Sequence, residues 1–432
     1  MRVAWRCVPG GSLVRYAFTN ALVIDGLGHH ERGASVLVRD DRIEAVGSGF
    51  EIPSDVPSVC DVGGRALLPG LFDCHTHHVG GDVLPTGGYA EARRLDEAPG
   101  MQSLRGAEAA RRTLLAGFTT VRDAGAAHWV DLALRDAIAE DLVRGPRMQV
   151  AGLGLTPTGG HAYPRARNAD GRDGVIRAVR EHVQHGVDWI KLLGVTGGTA
   201  TPGIDPMAAQ YHADEVEAAT SEARRWGKPI IAHAHGIEGI RNAVAAGVTS
   251  IEHGTELDEG AAAQMAERGI YFCPTLLGAY YTERLIQQGC LPENSRARRL
   301  ELERKGYRIP TLAGGLQRVA LAKRMGVKIV VGSDCGGNAV ALFGTAGTEL
   351  MLLAQAGLSP MEAVVAATGT AAELLSLAGE TGSLRPGLSA DLLIVNGNPL
   401  EDISVLSPLE GDLVATVVSR GLIVKWEGEA RI

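Results

Sequence analysis

From about Leu71 to about Leu377 the chain repeats one pattern: a short apolar run, a loop, then an alanine-rich stretch with helical spacing. Strands alternating with helices bury both faces of a parallel sheet, so this repetition predicts βαβ units. The runs are GLFDCHTH, FTTVRDAG, RMQVAGLG, DWIKLLGV, PIIAHAHG, TSIEHGT, IYFCPTL and KIVVGSD. Eight such units close most economically into an α/β fold of the (β/α)8, TIM-like barrel type. One helix start is marked by Ser359-Pro360-Met361-Glu362, an N-cap, a proline at the first helical position and a capping-box glutamate.

Both flanks have a different texture. Residues from about Arg15 to Leu68 alternate β-rich runs (ALVID, ASVLVRD, RIEAVG, RALLPG) with Gly and Asp turns, and the chain returns to short strands after Thr381 (SADLLIVNG, LVATVVSRG, LIVKWEG). The expectation is a small discontinuous β-sandwich of residues 1–70 and 381–432 around a barrel of residues 71–380.

A formal net charge of −8 disfavours nucleic-acid and anionic-membrane partners, which require a basic face, and favours a small-molecule substrate. The six cysteines are scattered without a CxxC pair, as expected of reduced thiols. The N-terminus lacks the continuous apolar run of a secretion signal, and no stretch approaches eighteen apolar residues. These features fit a cytoplasmic protein, and a homo-oligomer is the expectation for an enzyme of this size.

The residues that could carry chemistry stand at the ends of different expected strands. His75 and His77 are two apart, so both imidazoles share a strand face. Lys191 ends VDWIK, His233 and His235 end PIIAHAH, His253 ends TSIEH and Asp334 ends KIVVGSD. In a barrel those ends converge on one mouth. A lone lysine closing a buried strand reads as a packed stem with its amine reaching out; beside several histidines and dications it would be repelled. Conversion of Lys191 to its carbamate by CO₂ turns it into an anion able to bridge two ions, and burial near cations favours the neutral amine that CO₂ requires.

The set H-x-H, Lys, His, His, Asp, in that order, resembles the amidohydrolase superfamily. LLPGLFDCHTHH, GVDWIKLL, HAHG, SIEHG, ATGTAAELL and GSLRPGLSADLLIVNGNPL extend the likeness to its imidazolonepropionase-like and prolidase-like (Xaa-Pro dipeptidase-like) members, from about residue 17 to the C-terminus. The resemblance implies two divalent ions: His75, His77 and Asp334 on one, His233 and His253 on the other, with carboxylated Lys191 and a hydroxide between them. Imidazole and carboxylate ligands suit zinc and leave manganese or cobalt open. It also implies His233, the first histidine of HAHG, as the ligand. His235 is then a substrate contact or proton donor, or has a structural role.

Hydroxide at the ions would attack a scissile carbonyl, with Asp334 moving the proton to the leaving nitrogen. His161, in the glycine-rich TPTGGHAY, resembles a substrate-contacting loop residue; the alternative is a solvated loop histidine. Tyr163, Arg165 and Arg167 follow, and an arginine there could grip a carboxylate, though a solvated surface arginine is the plainer state. His29, His30, His78, His128, His182, His185 and His212 are assigned to surface, loop or supporting positions. Cys335-Gly336-Gly337-Asn338 is expected to shape the pocket floor. Similar enzymes often carry a histidine shortly after this aspartate, and none follows Asp334 here.

The leading expectation is hydrolysis of a dipeptide or N-acyl amino acid. The alternative is a urea, carbamate or cyclic amide, including phenylurea-type xenobiotics. A catalytically silent ligand-binding barrel would not need all six candidate ligands, and a one-metal deaminase would not need Lys191.

Overall fold

The computed structural model describes residues 15–80, 97–197, 201, 204–291, 293–337 and 340–432. Cys7, Asn338 and the first fourteen residues of the N-terminal segment lie outside them. Both chain ends contribute to one nine-stranded sheet. Its strands are β1 (Arg15–Ile24), β2 (His30–Arg39), β3 (Arg42–Gly47), β4 (Ser58–Asp61), β5 (Ala66–Pro69), β15 (Leu392–Val395), β16 (Val414–Ser419), β17 (Leu422–Trp426) and β18 (Glu429–Ala430). The order is β18-β17-β16-β15-β5-β1-β2-β3, with β4 also on β1. The expected pairing of the two flanks is the antiparallel β15/β5 ladder, Leu392 opposite Pro69 through Val395 opposite Ala66.

That ladder joins both flanks of the expected sandwich into one continuous sheet. Period-two alternation gives it two cores. Phe18, Val36, Val38, Leu392 and Ile394 enclose an apolar cluster of the β-domain itself. Leu22, Ile24, Leu68, Leu393 and Val395 face the other way, into the main core shared with the α/β part.

The α/β part contains two parallel sheets. One has β6 (Leu71–Thr76), β7 (Phe118–Asp123) and β8 (Arg147–Val150). The other has six strands in the order β10-β9-β11-β12-β13-β14: β9 (Leu155–Thr156), β10 (Arg167–Asn168), β11 (Ile190–Leu192), β12 (Ile230–Ala234), β13 (Ser250–His253) and β14 (Tyr271–Cys273). Seven of the eight expected runs thus contain a strand. The eighth, KIVVGSD, forms no continuous ladder, and the single ring of strands expected from sequence is two separate sheets here.

The reason is visible in the backbone bonds of that run. Val330 N donates to Phe272 O and Cys74 N donates to Val331 O, touching β14 on one side and β6 on the other. Val331 N, however, turns to Ala366 O at the end of the helix Pro360–Ala366, and Asp334 adopts φ +56°. Ser359 and Glu362 form the expected capping box on that helix. No helix among the described residues is long and apolar enough to cross a membrane, and Cys60, Cys74, Cys273, Cys290 and Cys335 are all free thiols.

Candidate metal centre

The ends of β6, β11, β12 and β13, with the bend at Asp334, bring the predicted residues together. His75 Nε2 lies 3.7 Å from Asp334 Oδ1 and 3.5 Å from Lys191 Nζ, and His77 Nε2 lies 3.5 Å from the same Asp334 oxygen. The His253 ring is 5.1 Å from His75 and 4.4 Å from His233 between centroids. Two donor clusters result, His75/His77/Asp334 and His233/His235/His253, with the ligand atoms of each within 4.8 Å of one another.

His77, His235 and His253 are each held by a partner on Nδ1. The Gly125 carbonyl lies 2.7 Å from His77 Nδ1, and a carbonyl can only accept, so the proton sits there and Nε2 keeps its lone pair. His253 Nδ1 meets Thr275 Oγ1 at 2.6 Å, and His235 Nδ1 meets Thr255 Oγ1 at 2.7 Å. Thr196 Oγ1 accepts the His235 amide, fixing the end of β12. His253 and Asp334 are both left-handed, at φ +69° and +56°. Such backbone costs on the order of 1–3 kcal/mol at a non-glycine residue and persists where the surroundings impose it, commonly at functional sites.

Electrostatics favour neutral imidazoles. Burial and the Lys191 charge push His75 down to about 3, against the opposing pull of Glu252, and burial pushes His77 down to about 4. His233 and His253 are held well below the ordinary value by burial and by the surrounding basic groups. Burial lowers the Lys191 ammonium to about 8 and raises the Asp334 carboxyl to about 7. The Lys191 charge acts on His75, His77, His233, His235, His253 and Asp334 alike.

These residues fit divalent cations. The Nε2 atoms of His233 and His253 are buried and meet no hydrogen-bond partner among the described residues, a costly state for a polar atom that a cation would relieve. Space is reserved as well. A Cβ on Gly337 would overlap the Asp334 carboxylate and the His77 ring, and one on Gly197 (φ +94°) would lie 2.9 Å from the His235 ring and 3.4 Å from His233 Nε2.

Of the expected substrate contacts, His161 stacks on His233 at 4.3 Å, with its amide donating to Gln210 Oε1. Arg165 is half-buried, and its charge reaches His77 and Asp334. Tyr163 is exposed on the same loop, and among the described residues no hydrogen bond joins its side chain to the imidazole cluster. Arg167 is engaged away from the cluster, donating to Glu181 and to Asn168 O. His78 and His182 are fully buried: Asp123 receives the His78 amide, and His182 is bonded to the Ala178 and Leu153 carbonyls. Cys335 is buried and packs with Ala109, Leu277, Ala341 and Phe343.

Sequence reasoning missed Glu252, Arg122 and Asp73. Glu252 Oε2 lies 2.6 Å from His75 Nδ1, and Arg122 donates to Glu252 Oε1 at 2.9 Å. Asp73 accepts from Ser333 N at 2.9 Å and from His75 N at 3.2 Å, tying β6 to the bend before Asp334. The adjacency of Glu252 to His253 and of Asp73 to His75 was the available signal, and Arg122 carried none.

Comparison with known proteins gives the family. The model of the Amidohydrolase family matches residues 66–424. The ochratoxinase of Aspergillus niger is 30% identical, covering 94% of this chain and 86% of its own. The imidazolonepropionase of Mesorhizobium japonicum is 27% identical, covering 86% and 88%. The crystal structure of a Xaa-Pro dipeptidase with methionine bound in its active site superposes with a TM-score of 0.83 at 32% identity, covering 96% of this chain and 100% of that one. On the family match and these likenesses, the chain belongs to the amidohydrolase family and is a hydrolase.

Proposed function

We propose that the protein hydrolyses the amide C–N bond of a dipeptide or N-acyl amino acid, using two divalent cations. The observation that carries this reading is the pair of donor clusters gathered about Lys191, one including a carboxylate and the other two orphaned imidazole nitrogens. On this reading His75, His77 and Asp334 would hold one cation, His233 and His253 the other, and Lys191 would bridge them as its carbamate. Zinc suits the imidazole-rich set best, with manganese or cobalt as alternatives.

The barrel is part of the proposal. The Asp188 and Trp189 amides both donate to Val150 O, and isolated bridges join Phe272 to Ile329 and Thr76 to Cys335. These links support reading the two parallel sheets as arcs of one (β/α)8 ring, with Lys328–Asp334 as its eighth stave.

When bound, two cations supply Lewis acidity that brings a water's pKa toward neutrality and polarises a carbonyl. Asp334 would take the proton released as water adds to the carbonyl carbon, and return it to the nitrogen as the C–N bond breaks. His161 would donate to the developing oxyanion. His235, its Nδ1 held by Thr255, would contact the substrate. Arg165, whose charge already reaches the site, suits a substrate carboxylate. The methionine in the Xaa-Pro dipeptidase structure is an amino acid of the kind such a reaction releases.

Metal-loaded enzyme assayed on Xaa-Pro and other dipeptides, N-acyl amino acids and phenylureas tests this reading. Turnover of carboxylate-bearing amides is expected, with their C-terminally amidated forms poorer by roughly 10–100-fold. Turnover of ureas alone would contradict it. The two histidines of HAHG separate by metal content: His233→Ala should lose one of two ions and His235→Ala neither, by elemental analysis after gel filtration. The reverse result would exchange their roles.

Carbamate formation gives a pH prediction. With the Lys191 pKa lowered to about 8, the neutral amine fraction rises roughly tenfold per pH unit up to that value and then levels off. Reconstitution of metal-free protein should therefore accelerate with added bicarbonate at fixed pH, and with pH toward 8 at fixed dissolved CO₂. A rate of activity recovery indifferent to both would exclude the carbamate.

A further inference from the structure

Arg122, in β7, is fully buried, although a guanidinium is costly to bury without partners. Each of its nitrogens has a partner. Nε donates to Cys74 O at 2.5 Å, Nη1 to Ser250 Oγ at 3.0 Å and Nη2 to Glu252 Oε1 at 2.9 Å, while the guanidinium lies 4.7 Å from the Trp189 ring centroid. The second oxygen of Glu252 faces His75 Nδ1 at 2.6 Å, and His75 Nε2 faces Lys191 and Asp334. All of Arg122, Glu252 and His75 are withdrawn from solvent.

His75, Glu252 and Cys273 are also close enough to form a cation cluster of their own. Arg122 argues against that use, because its positive charge already occupies Glu252 at hydrogen-bond distance. A cation there would displace the guanidinium or share a carboxylate with it in a dry interior.

Resting on the binuclear reading above, we propose that Glu252, fixed by Arg122, is a positioning residue for His75. It keeps the His75 proton on Nδ1, turns Nε2 toward the first ion and makes that nitrogen a stronger donor. His77 and His253 rely on a carbonyl and a hydroxyl for the same purpose. Of these three imidazoles, His75 alone has an ionic partner on Nδ1. Its loss should therefore weaken the ion at His75, His77 and Asp334 and spare the ion at His233 and His253. Partners of this kind typically change metal affinity by roughly 10–100-fold.

The test uses the full-length protein as Glu252→Gln, Glu252→Asp and Glu252→Ala, with zinc affinity and stoichiometry measured by competition with a chelator and the visible spectrum recorded after cobalt loading. The expected result for the Gln and Ala variants is one ion bound as in wild type and the other weakened 10–100-fold, with an altered cobalt spectrum. The Asp variant should recover part of the loss. Should the Ala variant fail to fold, the near-isosteric Gln variant decides. Two ions bound by Glu252→Gln at wild-type affinity would overturn the proposal. So would equal weakening of both ions in every variant, the mark of a packing role alone. A wild-type protein that binds no zinc would instead overturn the binuclear reading.

Discussion

Asp334→Asn is expected to lower kcat/KM by about 10²–10⁴-fold, the usual contribution of a general acid-base group, while leaving most of the metal in place. Asparagine has the shape of aspartate and tolerates the left-handed backbone at this position. The backbone bonds that shape the bend, Asp334 N to His75 O and Gly337 N to Asp334 O, do not involve the side chain. On the proposed reading, what the variant removes is the proton acceptor. The carboxylate oxygen it replaces lies between His75 and His77 at 3.7 and 3.5 Å, where an attacking water would lose its proton. Steady-state kinetics on enzyme of measured metal content checks this, and activity within tenfold of wild type would end the role.

Lys191→Met should have the second large effect, with an opposite consequence for folding. Lys191 is fully buried in β11, whose backbone is paired with β12, so the strand does not depend on the amine. Burial is the largest influence on the Lys191 ammonium and disfavours its charge, so an apolar side chain of similar length removes that cost. Thermal unfolding of the metal-free variant should therefore match or exceed wild type. Metal content should nevertheless fall below two ions per chain, and kcat/KM by roughly 10³-fold or more, because the bridging anion and the second cation's Lewis acidity are lost together. In Lys191→Ala, small carboxylic acids should restore part of the activity by occupying the vacated volume. A folded, metal-replete and active Lys191→Met enzyme would remove the carbamate from the account.

The sequence was most informative where apolar runs end in chemistry-bearing residues. His75, His77, Lys191, His233, His253 and Asp334 were legible because a buried parallel strand reads as a continuous apolar run, and its terminus is where polar atoms become affordable. The supporting charges were not. Period-two alternation assigns Glu252 and His253 to opposite faces, but His253 is left-handed, which breaks the alternation and lets neighbouring residues serve one site. Arg122 inside FTTVRDAG carries no mark of its partner, because Glu252 is 130 residues away. The eighth run is less regular than its composition suggests, for a related reason. KIVVGSD has strand composition, but Val331 spends its amide on a helix end, a tertiary choice that no local pattern encodes. The two flanks were read correctly as partners; that they share one ladder depended on the β15/β5 register.

The most direct measurement is anomalous scattering at the metal edge from crystals of the metal-loaded protein. The account predicts two peaks, one within bonding distance of His75, His77 and Asp334 and the other of His233 and His253, with density for a carbamate extending from Lys191 Nζ to both. A bare amine on Lys191, or ions bound away from these side chains, would contradict it.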